Sequence, residues 1–179
     1  MNNKIKQMVY AGLLTALAII IPIQFGFLKI IIPPFTATLA AHVPMMLAML
    51  ISPAVAIVVG IGSTIGFIIS GTPAPVVARA ATHIVVGYIG ARIIMKNQSY
   101  TKAAIITAPI HGLLEMLVVI PFIGFNVYQL LIVTAVGTIL HHCVDSVIAY
   151  AIVKVVAKSR NKSIYNVFGE FKLQKTSYN

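Results

Sequence analysis

The chain has 179 residues, of which 59% are hydrophobic and only 9% are charged, and its mean hydropathy is +0.98. A soluble domain of this length could not bury so much apolar surface, because too little of its volume is interior. The composition therefore predicts an integral membrane protein whose natural solvent is lipid.

The net charge of +10 comes from basic residues that lie at the ends of apolar runs rather than in one patch. Charges in such positions set the orientation of spans and meet anionic headgroups. A nucleic-acid partner is not expected, since phosphate recognition needs clustered basic side chains. The single cysteine, Cys143, excludes an internal disulfide and lies within an apolar run.

Proline, glycine and charged residues divide the chain into six apolar segments, several of them near the lower length limit of a membrane span. The segments cover about 8–27, 35–51, 53–70, 75–95, 102–121 and 127–157. Two prolines in the connection FGFLKIIIPP (25–34) forbid a continuous helix there. The sequence thus predicts an all-α integral membrane protein with six transmembrane helices over 1–158 and a basic cytoplasmic tail over 159–179.

The distribution of lysine and arginine predicts that both termini are cytoplasmic. In that orientation eleven basic residues fall on the inner side: Lys4, Lys6, Arg92, Lys96, Lys102, Lys154, Lys158, Arg160, Lys162, Lys172 and Lys175. Lys29 and Arg79 fall on the outer side, which is the asymmetry of the positive-inside rule. In the tail, Tyr165, Phe168 and Phe171 are spaced at three and could form a short interfacial helix.

Small residues form two pairs at a spacing of four on the first segment. They are Gly12 with Ala16 and Ala11 with Thr15. In lipid such a stripe lets another helix approach closely. Two interpretations stay open, namely packing inside the monomer and docking to a separate membrane subunit.

Five polar residues of the last three segments fall in the outer half of the membrane. They are Arg79, His83, Glu115, Asn126 and Gln129. An ionisable side chain inside a bilayer costs about 2.5 to 3.5 kcal/mol on insertion scales and is a functional hypothesis by default. We expect these residues to line a pocket that opens outward beside the broken connection.

Arg79 has two possible partners. Glu115 lies at a compatible depth and would neutralise it in a structural salt bridge, which is how buried charges are usually tolerated. Alternatively, the guanidinium offers a bidentate fork to a ligand carboxylate. His83 lies one turn deeper on the same face and could bond or stack with the same ligand.

The remaining histidines raise the question of a metal. His141 and Asp145 share a helix face, but the adjacent His141 and His142 point about 100° apart on a helix and cannot both chelate one ion unaided. Polar packing between helices is the preferred interpretation, so no metal site and no cofactor are expected. His42 could bond a carbonyl that Pro44 frees.

The sequence also argues against catalysis. It has no Walker A motif and no glycine-rich phosphate loop, so the chain is not expected to hydrolyse ATP itself. Its three acidic residues and scattered histidines form no recognisable catalytic constellation, and we expect no enzyme.

Three stretches resemble the substrate-binding S components of energy-coupling factor (ECF) vitamin transporters. They are AGLLTALAIIIPI on the first segment, FLKIIIPPFTATLAAHVPMMLAMLISPAVAIVVGIGSTIGFIISG (27–71) through the next two, and VVARAATHIVVGYIGARI (76–93) on the fourth. The last two stretches are most similar to the niacin-type subfamily. The resemblance covers about 4–158.

The resemblance implies a six-helix protein of the bacterial cytoplasmic membrane that captures a small-molecule vitamin outside and associates with a transmembrane T component and two cytoplasmic ATPases. It implies that the stripe of Ala11, Gly12, Thr15 and Ala16 contacts the T component, as a relaxed form of the family's Ala-xxx-Ala motif. It also implies that 24–34 forms a lid over the site.

For a pyridine carboxylate, the resemblance implies that Arg79 meets the carboxylate and that His83 approaches the ring nitrogen. Phe35 or Tyr88 would stack on the ring. Other cargoes stay open, among them cobalamin, pantothenate and a pyrimidine precursor. Two further alternatives are a membrane assembly subunit without a ligand and a small stand-alone carrier.

Overall fold

The computed structural model of the chain describes residues 3–33 and 35–169. This part contains six α-helices, a two-stranded hairpin and a π-helical segment. The bounds are α1 Asn3–Gln24, β1 Lys29–Ile32, β2 Phe35–Thr38, α2 Val43–Met49, α3 Pro53–Ile69, α4 Ala74–Asn97, α5 Tyr100–Ile123, the π-helical segment Tyr128–Val136 and α6 Gly137–Ser159. Pro34 of the predicted lid and Phe171, Lys172 and Lys175 of the tail lie outside the described residues.

Four helical stretches are long and apolar enough to cross a membrane. They are α1, α4, α5 and the continuous 32-residue run Tyr128–Ser159. The shorter apolar helix α3 has 17 residues. Five of the six predicted segments therefore coincide with helices, with ends that differ by a few residues. The count of six spans and the orientation of the termini stay predictions.

The second predicted segment (35–51) differs most from its prediction. Its first residues form β2, which pairs antiparallel with β1 in the register Lys29 with Thr38 and Ile32 with Phe35. α2 has only seven residues, about 10 Å at 1.5 Å per residue, and all of them are buried. This stretch has the composition of a membrane span because a helix enclosed by other helices is as apolar as one that faces lipid. Hydropathy does not distinguish the two.

Serine caps explain where two long helices begin. The Ser52 hydroxyl accepts a hydrogen bond from the backbone N–H of Val55 (3.2 Å), and Ser99 does the same for Lys102 (3.1 Å). These bonds satisfy N–H groups that lack a partner in the first turn. α4 ends at Gln98, whose φ of 46° is left-handed and turns the chain toward α5.

The enclosed helix α2 forms the centre of the core. Its methionines Met45, Met46 and Met49 are almost completely buried. Gly90 of α4 leaves room for the Met49 side chain, because a Cβ there would overlap it. Unbranched methionine side chains fill such irregular spaces well.

The small residues of α1 point in two directions. The Thr15 methyl group packs directly on Gly62 of α3, and Ala11 packs against the core. Gly12 and Ala16 are exposed, and a Cβ on Gly12 would have no atom within 4 Å. The pair Ala11–Thr15 therefore serves packing inside the monomer, while the pair Gly12–Ala16 is left on the outer surface of α1.

The described part of the tail folds back onto the helix ends. Residues 160–169 form turns and not the predicted interfacial helix. The Phe168 ring packs edge-on against Tyr10 of α1 with centroids 5.1 Å apart, and the Tyr165 hydroxyl accepts from the backbone N–H of Tyr100 (3.2 Å). Contacts with α1 and α5, rather than the spacing of the aromatic residues, therefore determine the structure of this segment. They also bring the basic start of α1, the α4–α5 connection and the end of α6 to one end of the bundle.

Close contact between α1 and α3 is testable at Gly66. A Cβ there would lie 2.7 Å from Cα of Ile19, so the Gly66→Ala change forces the two helix backbones apart. We expect it to destabilise the protein by about 1–3 kcal/mol, as overpacking does. Thermal unfolding of the purified protein in detergent measures the effect.

The matched control is Gly12→Ala on α1, which makes the same chemical change in open space. It should leave the unfolding temperature unchanged or raise it slightly through helix propensity. Equal destabilisation by both changes would show that Gly66 is not required for the close approach of α1 and α3.

Candidate functional site

All five histidines of the chain meet in one buried cluster. His42, which precedes α2, lies at the centre, with its ring centroid 4.8 Å from His83, 4.8 Å from His111 and 4.2 Å from His141. His142 joins the cluster through His111, at 5.3 Å. Two carboxylates, Glu115 and Asp145, are buried in contact with these rings, and the guanidinium of Arg79 is buried against Glu115.

Arg79 of α4 and Glu115 of α5 form a buried ion pair. Nε of Arg79 donates to Oε2 of Glu115 at 2.6 Å, and the side chains are 4% and 3% exposed. The hydroxyl of Thr138 on α6 donates to the same carboxylate oxygen. Removed from water, each charge would be expensive alone, so the pair neutralises both and links three helices.

The terminal nitrogens of Arg79 reach the hairpin. Nη2 donates to the backbone carbonyl of Thr36 at 3.1 Å, and Nη1 lies 3.4 Å from the Thr36 hydroxyl. The guanidinium also lies over the ring of Phe35, 4.9 Å from its centroid, at a distance typical of a cation–π contact. One arginine therefore holds β2 against the helices.

Asp145 of α6 fixes the chain that leaves the hairpin. Its carboxylate accepts from the backbone N–H groups of Ala40 (2.9 Å) and His42 (3.0 Å). Ala40 has a φ of 66°, a left-handed conformation that costs energy for a residue with a Cβ. His141 lies 3.2 Å from Asp145 and 3.1 Å from the carbonyl of Thr38. The carboxylate thus stabilises a strained turn that places His42 in the cluster.

A small cavity lies between the hairpin and these groups. Its volume is about 20 Å³, room for one water molecule. The polar lining residues come from the hairpin, its exit turn, α4, α5 and α6, and they are Thr36, Thr38, His42, Arg79, His83, Glu115 and His141. Apolar residues of α3 and α4 complete the wall. The lining combines one cation, one carboxylate and three imidazoles, which suits a small polar ligand.

The structure brings together four of the seven predicted ligand-binding residues. Arg79, His83 and Glu115 line the cavity, and Phe35 packs on Arg79. The other three, Tyr88, Asn126 and Gln129, are absent from its lining. A ligand-binding role for any of the seven stays a prediction.

The three outlying residues lie in other surroundings. Tyr88 is 41% exposed and borders a separate depression with Arg92 and Lys96 toward the other end of α4. Asn126 is exposed, and its side chain accepts from the backbone N–H of Gln129 (3.1 Å) as a helix cap. Depth along the membrane normal does not determine which way a residue faces around a helix.

The sequence prediction missed Thr36 and gave His42 only a backbone partner. Both belong to the second segment, which was expected to be one continuous helix, and the hairpin changes what they face. The signal that could have found the site is compositional, because all five histidines belong to apolar segments. Neutral polar rings in lipid need one another or a ligand as partners.

Long apolar helices around a small buried polar pocket define the class of the chain as a multi-pass protein of the cell membrane. The chain is 36% identical over 172 residues to the niacin transporter NiaX of Lactococcus lactis subsp. cremoris (strain MG1363), covering 87% of this chain and 77% of that protein. The chain therefore belongs to that family, the niacin-type S components of ECF vitamin transporters, which confirms the resemblance. No family model and no solved structure matches it.

The buried ion pair predicts an asymmetric response to substitution. Glu115→Leu leaves the Arg79 charge buried without its partner and should destabilise the protein by about 3–5 kcal/mol. The double change Arg79→Met with Glu115→Leu removes both charges and should restore most of that loss. Equilibrium unfolding in mixed detergent micelles measures the free energies. A double variant no more stable than Glu115→Leu would contradict the pairing.

Proposed function

We propose that this chain is the substrate-capture subunit of an ECF-type importer and that it binds niacin. The observation that carries the proposal is the guanidinium of Arg79, held over the cavity by the hairpin oxygens of Thr36. The family relationship supports the same ligand, since the relative is a niacin transporter. A cavity of about 20 Å³ also favours a small cargo over one as large as cobalamin.

The carboxylate of niacin would replace Thr36 at the two terminal nitrogens of Arg79. A carboxylate has two oxygens in the plane of the guanidinium fork and makes charge-assisted bonds, which are stronger than those to a neutral carbonyl or hydroxyl. Glu115 keeps its bond to Nε throughout. The arginine is therefore neutralised on one side and recognises the ligand on the other.

The hairpin β1–β2 would act as the lid. Because the cavity has room for one water, a pyridine ring enters only when the hairpin moves off Arg79. Two of the bonds that hold it there run from Arg79 to Thr36, and these are the bonds the ligand replaces. The ring would then face the imidazoles of His42 and His83 below, with Phe35 beside it.

The pocket would open to the extracellular side. The basic ends of α1, α4 and α6 gather at the end of the bundle opposite the hairpin, through contacts such as that of Arg160 with the Tyr10 hydroxyl (2.5 Å). Positive charge favours the cytoplasmic side, which leaves the hairpin outside. Niacin would be captured there and delivered inward with the T component and its two ATPases.

Niacin recognition is tested by Arg79→Lys, which keeps the charge but removes the fork. We expect the affinity for niacin to fall at least about 100-fold, the equivalent of roughly 2.7 kcal/mol, while nicotinamide binding, whatever its strength, changes little. Isothermal titration of the purified protein measures both ligands.

The matched control is Arg92→Lys, the same change near the other end of α4. It should leave niacin binding as in the unmodified chain. Equal losses for niacin and nicotinamide in Arg79→Lys would assign Arg79 a structural role only, and no saturable binding of niacin to the unmodified chain would overturn the proposal.

Docking of the T component is tested on the outward face of α1. Ala16 is exposed beside Gly12, and a leucine there would keep a partner helix from approaching closely. We expect Ala16→Leu to abolish copurification with the T component and ATPases while niacin binding persists. Ala151→Leu, the same change at an exposed site on α6, is the control. Equal copurification of both variants would place the docking surface elsewhere.

A further inference from the structure

We propose that His42, His83, His111 and Glu115 form a binding site for a divalent transition-metal ion, with Zn²⁺ as the best match. The four residues come from the turn before α2, from α4 and from α5, and all are buried. Three imidazoles and one carboxylate are ligands that suit zinc in a four-coordinate site.

The spacing of the donor atoms fits such an ion. The four candidate ligand atoms all lie within 4.8 Å of one another. In a tetrahedral zinc site with bonds of about 2.0–2.1 Å, ligand atoms are about 3.3–3.5 Å apart. Small rotations of the rings close the difference. His111 and Glu115 are already placed as a pair on one face of α5, with Nε2 and Oε1 3.2 Å apart.

A chain of hydrogen bonds defines the tautomer of His111. The Thr107 hydroxyl donates its one hydrogen to the carbonyl of Ala103 (2.7 Å), so it accepts from Nε2–H of His142 (3.1 Å). The neutral His142 ring then has its lone pair on Nδ1, which accepts from Nδ1–H of His111 (3.1 Å). Because Nδ1 of His111 holds that hydrogen, Nε2 is the ring nitrogen that can offer a lone pair.

That lone pair has no proton donor. Within the described residues, no hydrogen-bond partner meets Nε2 of His111, although the atom is fully buried. The nearest polar group is Oε1 of Glu115, another acceptor, at 3.2 Å. Two buried acceptors facing each other are unfavourable, and a cation that both coordinate removes the conflict.

Hydrogen bonds to the other ring nitrogen orient two of the histidine ligands, as they do in known metal sites. The Ser63 hydroxyl bonds Nδ1 of His83 at 2.8 Å, which leaves Nε2 of that ring for the ion. His142 supports His111 in the same way. Ligating histidines regularly bond a partner through the other nitrogen, which fixes the ring and its tautomer.

A second group of possible ligands, His42, His141 and Asp145, suits an ion less well. Asp145 already accepts two backbone N–H groups, and His141 has two oxygen partners. Within the described residues Asp145 and His141 thus have partners without a cation, whereas Nε2 of His111 has none. His42, whose Nδ1 also lacks a hydrogen-bond partner there, belongs to both groups. The ion therefore belongs with His111 and Glu115.

The charges of the site also favour a divalent cation together with an anionic ligand. Arg79 contributes one positive charge, and Glu115 and Asp145 contribute two negative charges, so these three side chains sum to −1. A divalent ion brings the sum to +1, and one ligand carboxylate brings it to zero, the cheapest state in a low-dielectric interior. This coupling rests on the proposed niacin function, in which Arg79 holds the ligand carboxylate.

The test is a metal titration of the full chain, purified in detergent through a tag without histidine and stripped with a chelator. We expect Zn²⁺ and Co²⁺ to bind at one equivalent and to raise the unfolding temperature. Bound Co²⁺ should show the visible absorption of a four-coordinate site with nitrogen ligands. Absence of saturable binding to the folded, unmodified chain would overturn the proposal without recourse to any variant.

Three variants locate the site. His111→Gln and His83→Gln each remove one ligand at nearly constant volume and should weaken Zn²⁺ binding at least about 100-fold. Cys143→Ser removes the chain's one thiol, an exposed side chain outside the cluster, and should leave binding unchanged. Binding that persists in both histidine variants, or that disappears in Cys143→Ser, would overturn the assignment.

Niacin titrations of stripped and metal-loaded protein separate this inference from the proposed function. Metal binding without any niacin binding would refute the niacin proposal and leave the metal site standing. Niacin binding by stripped protein that takes up no metal would refute the site alone. Tighter niacin binding after loading is the result expected from the charge balance.

Discussion

The structure depends most on the buried ion pair of Arg79 and Glu115. Glu115 joins α4 to α5 through Nε of Arg79 and reaches α6 through the Thr138 hydroxyl. From the other side of the same guanidinium, two contacts hold the hairpin. A charge so expensive in a membrane interior persists only when its surroundings compensate it, and here the compensating groups come from every element around the pocket.

Much of the fold follows from physics that the sequence displays directly. Long apolar runs bounded by charge and proline predict α1, α3, α4, α5 and α6, and serines such as Ser52 and Ser99 begin helices where their hydroxyls cap the first turn. The segment 35–51 could not be predicted this way. Whether an apolar stretch faces lipid or the interior of a bundle depends on its neighbours, and α2 is enclosed by them.

Part of the candidate site could also be predicted from the sequence by a physical argument. Arg79, His83 and Glu115 could be found because ionisable residues in lipid demand partners at matching depth. Asn126 and Gln129 were assigned by depth as well, yet they are absent from the cavity lining, since depth leaves the rotation about the helix axis open. Tyr88 was assigned through the family resemblance and borders a different depression. The convergence of five histidines depends on the turn held by Asp145, which brings His42 to the centre, and no spacing along the chain reveals that bond.

The two partners first considered for Arg79 do not exclude each other. A guanidinium has five N–H donors directed along different edges, and Glu115 occupies the Nε edge while Thr36 occupies the terminal one. The ion pair keeps the arginine stable inside the bundle whether or not the hairpin is in place. Because Thr36 is a neutral partner on a two-stranded element, it is the contact that a carboxylate can displace. Structural neutralisation by Glu115 is thus the condition under which, in the proposed function, the other edge of Arg79 is left for recognition.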